Sequence, residues 1–457
     1  MKVLLLSPYE LGRQPFSLAH PAALLRARGH EVELIDLSLG ALPRTGLEDF
    51  GLIGIALGMH TATRIAASLL PELRRAAPTA RLVGYGVYGP PNRELLEGLG
   101  VDVVLGPECE PDLVAMAQGE APRPSQARVV FQVPDRSGLP TLARYAHLLT
   151  ADGSRKIVGF VEASRGCKYL CRHCPLVPVY EGGFRAIPRE VVLADAEQQV
   201  RAGAEHLSFG DPDFLNGPTH ALRILESLHG RWPALTFDAT IKISHILHYQ
   251  DILPRLREYG CLFITTAAES FDDAVLAYLD KGHTGADIGQ AAALTRGAGI
   301  AFAPTFVPFT PWTQLEDYVQ LLRGVYDLGL VNSVAPIQLA IRLLVPEGSY
   351  LLRLPGFRDY LGPFAGDILG YPWRSPDPRV DRLQAEVQAW VEKADSEGRR
   401  RPESFAGLWA LAHAAVGRSA PELDLSREGP AGPRLSEPWY CCAEPTAKQL
   451  SRWAAGP

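Results

Sequence analysis

The sequence has little excess charge of either sign. Its 457 residues include 45 lysines and arginines against 51 aspartates and glutamates, which gives a formal net charge of −6. Charges of both signs are interspersed along the chain, so the sequence presents no extended basic surface for a phosphate backbone. We therefore expect no nucleic-acid partner.

Long apolar runs are absent as well. The opening segment MKVLLLSP stops at Pro8, whereas a secretory signal needs a longer apolar region and a cleavage site. No stretch approaches the roughly 18 apolar residues that cross a bilayer. We expect a cytoplasmic protein without a membrane partner.

The seven cysteines do not suit a disulfide framework, because their number is odd. Three of them, Cys167, Cys171 and Cys174, are too crowded to pair with one another, which favours metal ligation or redox chemistry. Cys109 and Cys261 lie in apolar segments, where cysteine packs as a small hydrophobic residue.

Short apolar runs alternate with helix-like segments from the start of the chain. The runs show no polar alternation, as is typical of strands covered on both faces, and they lie at 2–8, 31–37, 52–58, 80–86 and 101–106. This pattern predicts an α/β fold in which residues 1–120 form a doubly wound, Rossmann-like domain.

The rest of the chain divides into three parts. Residues 121–156 contain several prolines without an apolar period and are predicted to be a linker. Six further strand–helix units, the last strand at 331–341, predict a partial (β/α)6 barrel over 157–350, with its chemistry at the carboxyl ends of the strands. Residues 351–457 are predicted to be a mainly helical extension.

The segment EASRGCKYLCRHCPLVPVYEGG contains the three crowded cysteines. A 4Fe-4S cluster usually takes four thiolates, so three would leave one iron open to chelate S-adenosylmethionine. One electron from such a cluster would break a C–S bond and release a 5′-deoxyadenosyl radical. A zinc site is the alternative, but His173 would be its fourth ligand and has poor tetrahedral reach from within the loop.

The loop resembles the C-x3-C-x-Φ-C signature of the radical S-adenosylmethionine superfamily. Cys167, Cys171 and Cys174 match the cysteines, which implies that they bind the cluster. His173 matches the Φ position, which implies a place near the adenine of S-adenosylmethionine.

Other segments also resemble this superfamily. FGDPD stands where glycine-glycine-glutamate is usual, and AAESFDDAVLAYLDKGHT resembles G-x-E-S…K-G-x-T. The resemblance implies S-adenosylmethionine contacts from Gly210, Asp211, Asp213, Glu269 and Ser270. Lys242 would face inward from the third barrel strand and is a further candidate. For each carboxylate, a solvated helix cap is the alternative role.

The doubly wound domain ahead of the barrel resembles the cobalamin-dependent branch of the superfamily. RLVGYGVYGPP and VDVVLGPECEPDL occupy the places of two glycine-rich segments, which implies cobalamin contacts from Gly84, Gly86 and Glu108. The cobalt-binding motif D-x-H-x-x-G is missing, as in several members of that branch. The nucleotide-binding motif G-x-G-x-x-G is missing too, and a domain without a ligand is the alternative.

The C-terminal segment WYCCAEP contains adjacent cysteines, Cys441 and Cys442. Such a pair forms only a strained, reducible disulfide. The segment resembles the tail of a radical-enzyme subgroup in which some members carry selenocysteine at the position of Cys442. We expect both thiols to reach the active site and act in catalysis; an exposed pair without a role is the alternative.

These features predict a cobalamin-dependent radical enzyme that methylates an unactivated carbon of a small molecule or peptide through methylcobalamin. Its cofactors would be a 4Fe-4S cluster, S-adenosylmethionine and cobalamin, and a flavodoxin- or ferredoxin-type protein would supply electrons. One alternative is a radical enzyme that catalyses rearrangement, C–S bond formation or oxidation with the tail thiols. Another is a non-catalytic iron-sulfur or cobalamin-binding regulator.

Overall fold

The computed structural model describes residues 1–43, 45–122 and 129–437. The strands in this part of the chain are β1 (Lys2–Ser7), β2 (Glu31–Asp36), β3 (Leu52–Ala56), β4 (Arg81–Tyr85), β5 (Val103–Leu105), β6 (His147–Leu149), β7 (Arg155–Val161), β8 (Ser164–Gly166), β9 (Phe184–Ala186), β10 (His206–Phe209), β11 (Thr236–Thr240), β12 (Cys261–Glu269), β13 (Ala301–Phe306) and β14 (Arg434–Leu435).

The α-helices of the same ranges lie between these strands and in the C-terminal region. They are α1 (Phe16–Arg26), α2 (His60–Ala76), α3 (Arg93–Gly98), α4 (Glu110–Ala117), α5 (Val177–Tyr180), α6 (Arg189–Arg201), α7 (Pro218–Arg231), α8 (Ile243–His248), α9 (Leu253–Glu258), α10 (Asp273–Leu279), α11 (Gly285–Gly297), α12 (Leu315–Asp327), α13 (Pro378–Ser396) and α14 (Arg401–Ala415).

The first sheet is parallel and has the strand order β2-β1-β3-β4-β5. Alternate residues of β1 enter different cores, because successive side chains of a strand point to opposite faces. Val3 and Leu5 pack with α1 and α4, whereas Leu4 and Leu6 pack with α2 and α3. Most of β1 is therefore apolar, whereas the edge strand β2 alternates, with Glu31 and Glu33 exposed and Val32 and Leu34 buried.

The second sheet is curled into a half-barrel with the order β13-β12-β11-β10-β7-β6-β14. Strands β7 and β10 to β13 are parallel, whereas β6 and β14 are antiparallel and extend one edge. The α/β class is thus confirmed. Helices α13 and α14 lie within the segment 351–457, which was predicted to be a mainly helical extension.

The sixth barrel strand, predicted at 331–341, is wrong. This segment contains a short 3-10 helix at Pro336–Leu339, and its pairing with the sheet is reduced to a bridge between Phe309 and Arg342. Pro336 has no N–H group to donate to a ladder, which disfavours a strand through this point. The half-barrel therefore has five parallel strands.

A buried polar network joins the first sheet domain to the half-barrel. Arg165, beside the cysteine loop, lies 2.7 Å from Oε1 of Glu110 at the start of α4, and the same oxygen lies 2.7 Å from Nδ1 of His20. Burial alone would raise the pKa of Glu110, but Arg165 and His20 lower it to about 2. The carboxylate is therefore ionised and fixes the two domains against each other.

No helix in the described ranges has the length and apolar composition needed to cross a membrane.

Candidate active site

The three crowded cysteines lie in the loop between β8 and α5, at the carboxyl end of the first parallel barrel strand. Cys171 is buried, and Cys167 and Cys174 are partly exposed. The loop begins at Gly166, whose φ is +74° and whose added Cβ would stand 2.2 Å from the carbonyl oxygen of Gly183. Only glycine fits this position.

Two buried lysines place positive charge beside these thiols. Nζ of Lys242, just after β11, lies 3.5 Å from Sγ of Cys171. Burial disfavours the charge of Lys281, but Glu269, Cys171 and Cys174 outweigh it and raise the pKa of Lys281 above its usual value. Cationic side chains of this kind stabilise thiolates, which are the form in which cysteine binds metals.

Glu269 connects the second of these lysines to the Φ residue of the loop. Its Oε1 lies 3.1 Å from Nζ of Lys281 and 3.1 Å from Nε2 of His173. Burial opposes its ionisation, but Lys281 and His173 hold the pKa of Glu269 well below its usual value. Nδ1 of His173 is buried and has no hydrogen-bond partner among the residues that the structure describes.

The backbone at Glu269 is strained. Its φ is +67°, in the left-handed region, and the pairing register shifts here between β12 and β13. A non-glycine residue in this conformation costs free energy and is typical of functional sites. Ser270, next in sequence, accepts a hydrogen bond from the N–H of Asp272 through its hydroxyl oxygen, at 3.0 Å.

The other predicted carboxylates are buried and bonded to protein groups. Oδ2 of Asp211 accepts from the N–H of Ala163 at 2.9 Å, and burial raises the pKa of Asp211 to about 7. Oδ2 of Asp213 lies 2.7 Å from Nδ1 of His245. Neither is a solvated cap. Their contact with S-adenosylmethionine stays a prediction.

A cavity of about 260 Å³ lies between the first sheet domain and the half-barrel, beside the cysteine loop. Glu10, Gly58 and Gly86 line it from the first domain, and Glu162 and Gly210 line it from the barrel. At Gly210 an added Cβ would lie 2.2 Å from Cζ of Phe160, so a larger residue would displace this ring.

A larger cleft of about 1210 Å³ adjoins this cavity and shares Pro107 and Tyr180 with it. Glu108 lines the cleft and pairs with Arg185 at 2.5 Å. Gly84 lies within β4, where an added Cβ would stand 2.9 Å from Cδ1 of Leu57, so its role here is packing.

A third cavity, of about 80 Å³, lies in the lumen of the half-barrel. It shares Leu11 and Arg13, in the loop after β1, with the interdomain cavity. Leu11 and Gly12 both have left-handed backbones, with φ of +52° and +67°. The sequence shows only that this loop has no nucleotide-binding glycine motif. Its position between two cavities was not predicted.

Glu10, in the same loop, was also missed. Burial raises its pKa to about 7, with a further contribution from the nearby charge of Glu162, although a hydrogen bond from the Ser17 hydroxyl opposes the shift. A single glutamate after an apolar strand does not indicate in the sequence that its side chain is buried beside another carboxylate.

Among the residues that the structure describes, no three His, Cys, Asp or Glu side chains converge as ligands of one metal ion. The predicted catalytic pair, Cys441 and Cys442, lies outside the described residues.

Comparison with known proteins identifies one domain. Residues 161–322 match the model of the Radical SAM superfamily, so the chain contains a radical SAM domain.

Two curated relatives match shorter stretches. Hopanoid C-2 methylase of Rhodopseudomonas palustris (strain TIE-1) is 26% identical over 178 residues, which cover 37% of this chain and 33% of that protein. Ribosomal protein uS12 methylthiotransferase RimO of Geobacter sulfurreducens is 28% identical over 116 residues, which cover 25% of this chain and 24% of that protein. The chain thus spans a third or less of the length of these relatives.

Two solved structures share the fold over most of the chain. The cobalamin-dependent S-adenosylmethionine radical enzyme OxsB with aqua-cobalamin bound has a TM-score of 0.68 at 15% identity, covering 86% of this chain and 67% of its own. The radical S-adenosylmethionine methyltransferase TsrM from Kitasatospora setae, with cobalamin and a 4Fe-4S cluster bound, has a TM-score of 0.60 at 16% identity, covering 93% and 91%.

Proposed function

We propose that the chain, with its radical SAM domain, is a cobalamin-dependent radical enzyme that methylates an unactivated carbon of a small molecule or peptide. The observation that carries this proposal is the cavity of about 260 Å³, because strand ends of the first sheet and residues beside the cysteine loop line it jointly. Two reagents held by different domains can meet there. The similar structures of OxsB and TsrM, both with cobalamin bound, support the same assignment.

The residues of the cysteine loop fit a 4Fe-4S cluster with S-adenosylmethionine. Cys167, Cys171 and Cys174 would ligate it, and Lys242 and Lys281 would offset the negative charge of their thiolates. The unpartnered Nδ1 of His173 is available for a hydrogen bond to a ligand.

The interdomain surfaces fit a large cofactor such as cobalamin. The cavity continues into the adjoining cleft, and Gly58 offers open space because an added Cβ there meets no atom within 4 Å. Gly86 would line the cofactor site, and Glu108 with Arg185 would present charged groups to it from the cleft.

When bound, the cluster supplies the electron that cleaves S-adenosylmethionine, and cobalamin carries the methyl group. The protein positions the reactants and excludes water. Glu269 holds the His173 ring through Nε2 and binds Lys281 with the same oxygen, so one carboxylate fixes two groups beside the thiols. Gly210, Asp211, Asp213 and Ser270 remain candidate contacts to S-adenosylmethionine.

The test is anaerobic reconstitution of the full chain with iron, sulfide and hydroxocobalamin. We expect about four irons and four sulfides per chain, one corrin, and release of methionine and 5′-deoxyadenosine from S-adenosylmethionine. Cys171→Ala should lose iron and cleavage, whereas Cys261→Ala, at a buried cysteine distant from the loop in sequence, should retain both. Zinc in place of iron and sulfide, or iron retained when all three loop cysteines are alanine, would refute the proposal.

A second candidate is radical chemistry that uses the tail thiols, such as C–S bond formation. Two observations favour it. One relative is named as a methylthiotransferase, and Glu437 lines the lumen cavity and accepts a 2.5 Å hydrogen bond from the Tyr9 hydroxyl. Cys441 follows four residues later, and four residues span at most about 14 Å.

Alkylation rates test the placement of these thiols. We expect S-adenosylmethionine to slow the reaction of Cys441 and Cys442 with iodoacetamide several-fold in the reconstituted protein. A cysteine introduced at an exposed helix end, Ser396→Cys, should react at the same rate with and without it. If S-adenosylmethionine leaves the alkylation rate unchanged at all three positions, a role of the tail thiols near the bound reactants is excluded. A protein that binds both cofactors without cleaving S-adenosylmethionine would indicate a regulator.

A further inference from the structure

The lumen cavity of the half-barrel contains more positive than negative side chains. Arg13, Arg401 and Arg434 line it, together with the carboxylates of Asp238 and Glu437. Arg401 begins α14 and Arg434 begins β14, so two of the three arginines come from the C-terminal extension.

The carboxylates of this cavity have other partners. Asp238 lies 3.0 Å from Nε2 of His206 and accepts a hydrogen bond from the Ser208 hydroxyl at 3.2 Å. Glu437 accepts from the hydroxyl of Tyr9. Each of these carboxylates therefore already has a hydrogen-bond partner in the protein.

Arg401 and Arg434 donate to neutral oxygens. Nη1 of Arg401 bonds the carbonyl oxygen of Asn332 at 2.7 Å, and Nη1 of Arg434 lies 3.5 Å from the carbonyl oxygen of Gly432. Within residues 1–43, 45–122 and 129–437, neither forms an ion pair. Each guanidinium has five N–H donors, so both retain donors for a ligand.

Burial and the like charge of Arg434 lower the pKa of Arg401 to about 10. Two guanidinium groups held together in a partly buried cavity are unfavourable unless an anion joins them. Carboxylate and phosphate are the groups that match the planar donor fork of arginine.

The cavity adjoins the interdomain cavity through a shared loop. Thr265, Ala303 and Thr305 line it and are partly exposed, whereas their strand neighbours Ile264, Thr266, Phe302, Pro304 and Phe306 are buried. Phe263, which belongs to a buried cluster with Leu148 and Val158, lines the cavity as well. The opposite wall is the loop of Leu11 and Arg13, which also lines the interdomain cavity.

We propose that Arg401 and Arg434 bind an anionic group of the substrate, a carboxylate or a phosphate, in the lumen of the half-barrel. This inference rests on the proposed function, because it assumes that the cavity beside the cysteine loop is where the reaction takes place. The anion anchors one end of the substrate, and the carbon to be modified lies towards Leu11 and the interdomain cavity.

Binding of two small anions to the reconstituted full chain tests this assignment. Trifluoroacetate represents a carboxylate and monofluorophosphate a phosphate, and fluorine NMR reports the binding of each. We expect at least one of them to bind the wild type at millimolar concentration. Arg401→Gln and Arg434→Gln should each bind it about tenfold more weakly, because each removes charged hydrogen bonds.

The matched control is Arg399→Gln, which removes an exposed arginine that pairs with Glu397 at 2.6 Å. It should bind as the wild type does. Arg401→Lys keeps the charge and should bind the anion better than Arg401→Gln, which separates anion binding from a packing defect if the glutamine variant is poorly folded.

Failure of both anions to bind the wild type, or equal binding by the wild type and the two glutamine variants, overturns the inference. Iron and corrin are measured on the same samples. If both are present while the anions do not bind, the proposed function stands and only the substrate class is wrong.

Discussion

Lys242 holds its ammonium nitrogen 3.5 Å from Sγ of Cys171 and 3.5 Å from the centroid of the Tyr169 ring. The lysine is buried, so solvent screens its charge only weakly. A positive charge at this distance favours the more negative, reduced state of a cluster bound to the thiol.

We therefore predict that Lys242→Gln lowers the reduction potential of the cluster on the order of tens of millivolts, because net charge near a cluster sets its potential. A redox titration followed by electron paramagnetic resonance measures the shift, and S-adenosylmethionine cleavage should slow with it. Lys393→Gln, on the exposed side of α13, is the control. An unchanged potential in Lys242→Gln would separate this lysine from the cluster.

The open space beside Gly58 gives a direct test of the interdomain cofactor site. In Gly58→Phe the added Cβ meets no atom within 4 Å, and the ring would occupy part of the cavity. We expect this variant to lose corrin and to retain iron and sulfide, as measured by absorbance and by elemental analysis. Gly98→Phe also adds a ring where no atom lies within 4 Å, but outside the cavity, and should bind corrin normally. Corrin loss in both variants, or in neither, would contradict the assignment.

Glu10 makes stability depend on pH. Its pKa is raised from 4.5 to about 7 in the folded protein, so the folded state binds a proton that the unfolded state releases. The stability that comes with this proton is fully present below pH 4.5 and is lost as the pH rises through 7.

Glu10→Gln mimics the protonated side chain at every pH. Relative to the wild type, the variant should therefore gain about 2 kcal/mol more at pH 8 than at pH 5.5. Thermal midpoints at the two values measure this difference. Glu48→Gln replaces an exposed glutamate and is the control; its stability relative to the wild type should be the same at both pH values. A constant offset between Glu10→Gln and the wild type would mean that Glu10 is ionised throughout.

Breaking the ion pair between Glu110 and Arg165 should destabilise the folded protein strongly. Glu110→Gln removes the carboxylate 2.7 Å from this buried guanidinium and leaves it paired with Glu162, 3.2 Å away. We expect a loss of about 3 kcal/mol, seen as a lower thermal midpoint and faster proteolysis between the domains. Glu97→Gln, in a half-exposed pair with Arg93, should change stability by less than about 0.5 kcal/mol. Equal effects of the two substitutions would show that the buried pair is dispensable.

The parts of the site that lie close together in sequence could be predicted from it. Glu269 was a candidate from one quoted segment; Lys281 of the same segment was not singled out, but the structure places the two side chains 3.1 Å apart. The cysteine loop was recognised in the same way, because a ligand set within one loop keeps its spacing in the sequence.

The parts assembled from distant segments could not be predicted. Arg401 and Arg434 reach the lumen only because α14 and β14 pack against a barrel formed much earlier in the chain, and no local pattern marks either residue. Phe309 and Arg342 show the converse error. The apolar stretch at 331–341 predicted a full strand. Pro336 and the short 3-10 helix that it begins reduce the pairing of this stretch to one bridge.

The contact of Glu110 with both His20 and Arg165 restricts how the molecule can move. Swinging the two halves apart about this point would separate the buried carboxylate of Glu110 from the guanidinium of Arg165, so hinge opening is a costly route for substrate entry. Arg401 and Arg434 of the C-terminal extension line another side of the lumen, and we expect substrate to enter from that side. We therefore expect that a shorter C-terminal extension would let the lumen bind bulkier molecules. A weaker contact between the two halves would not have this effect.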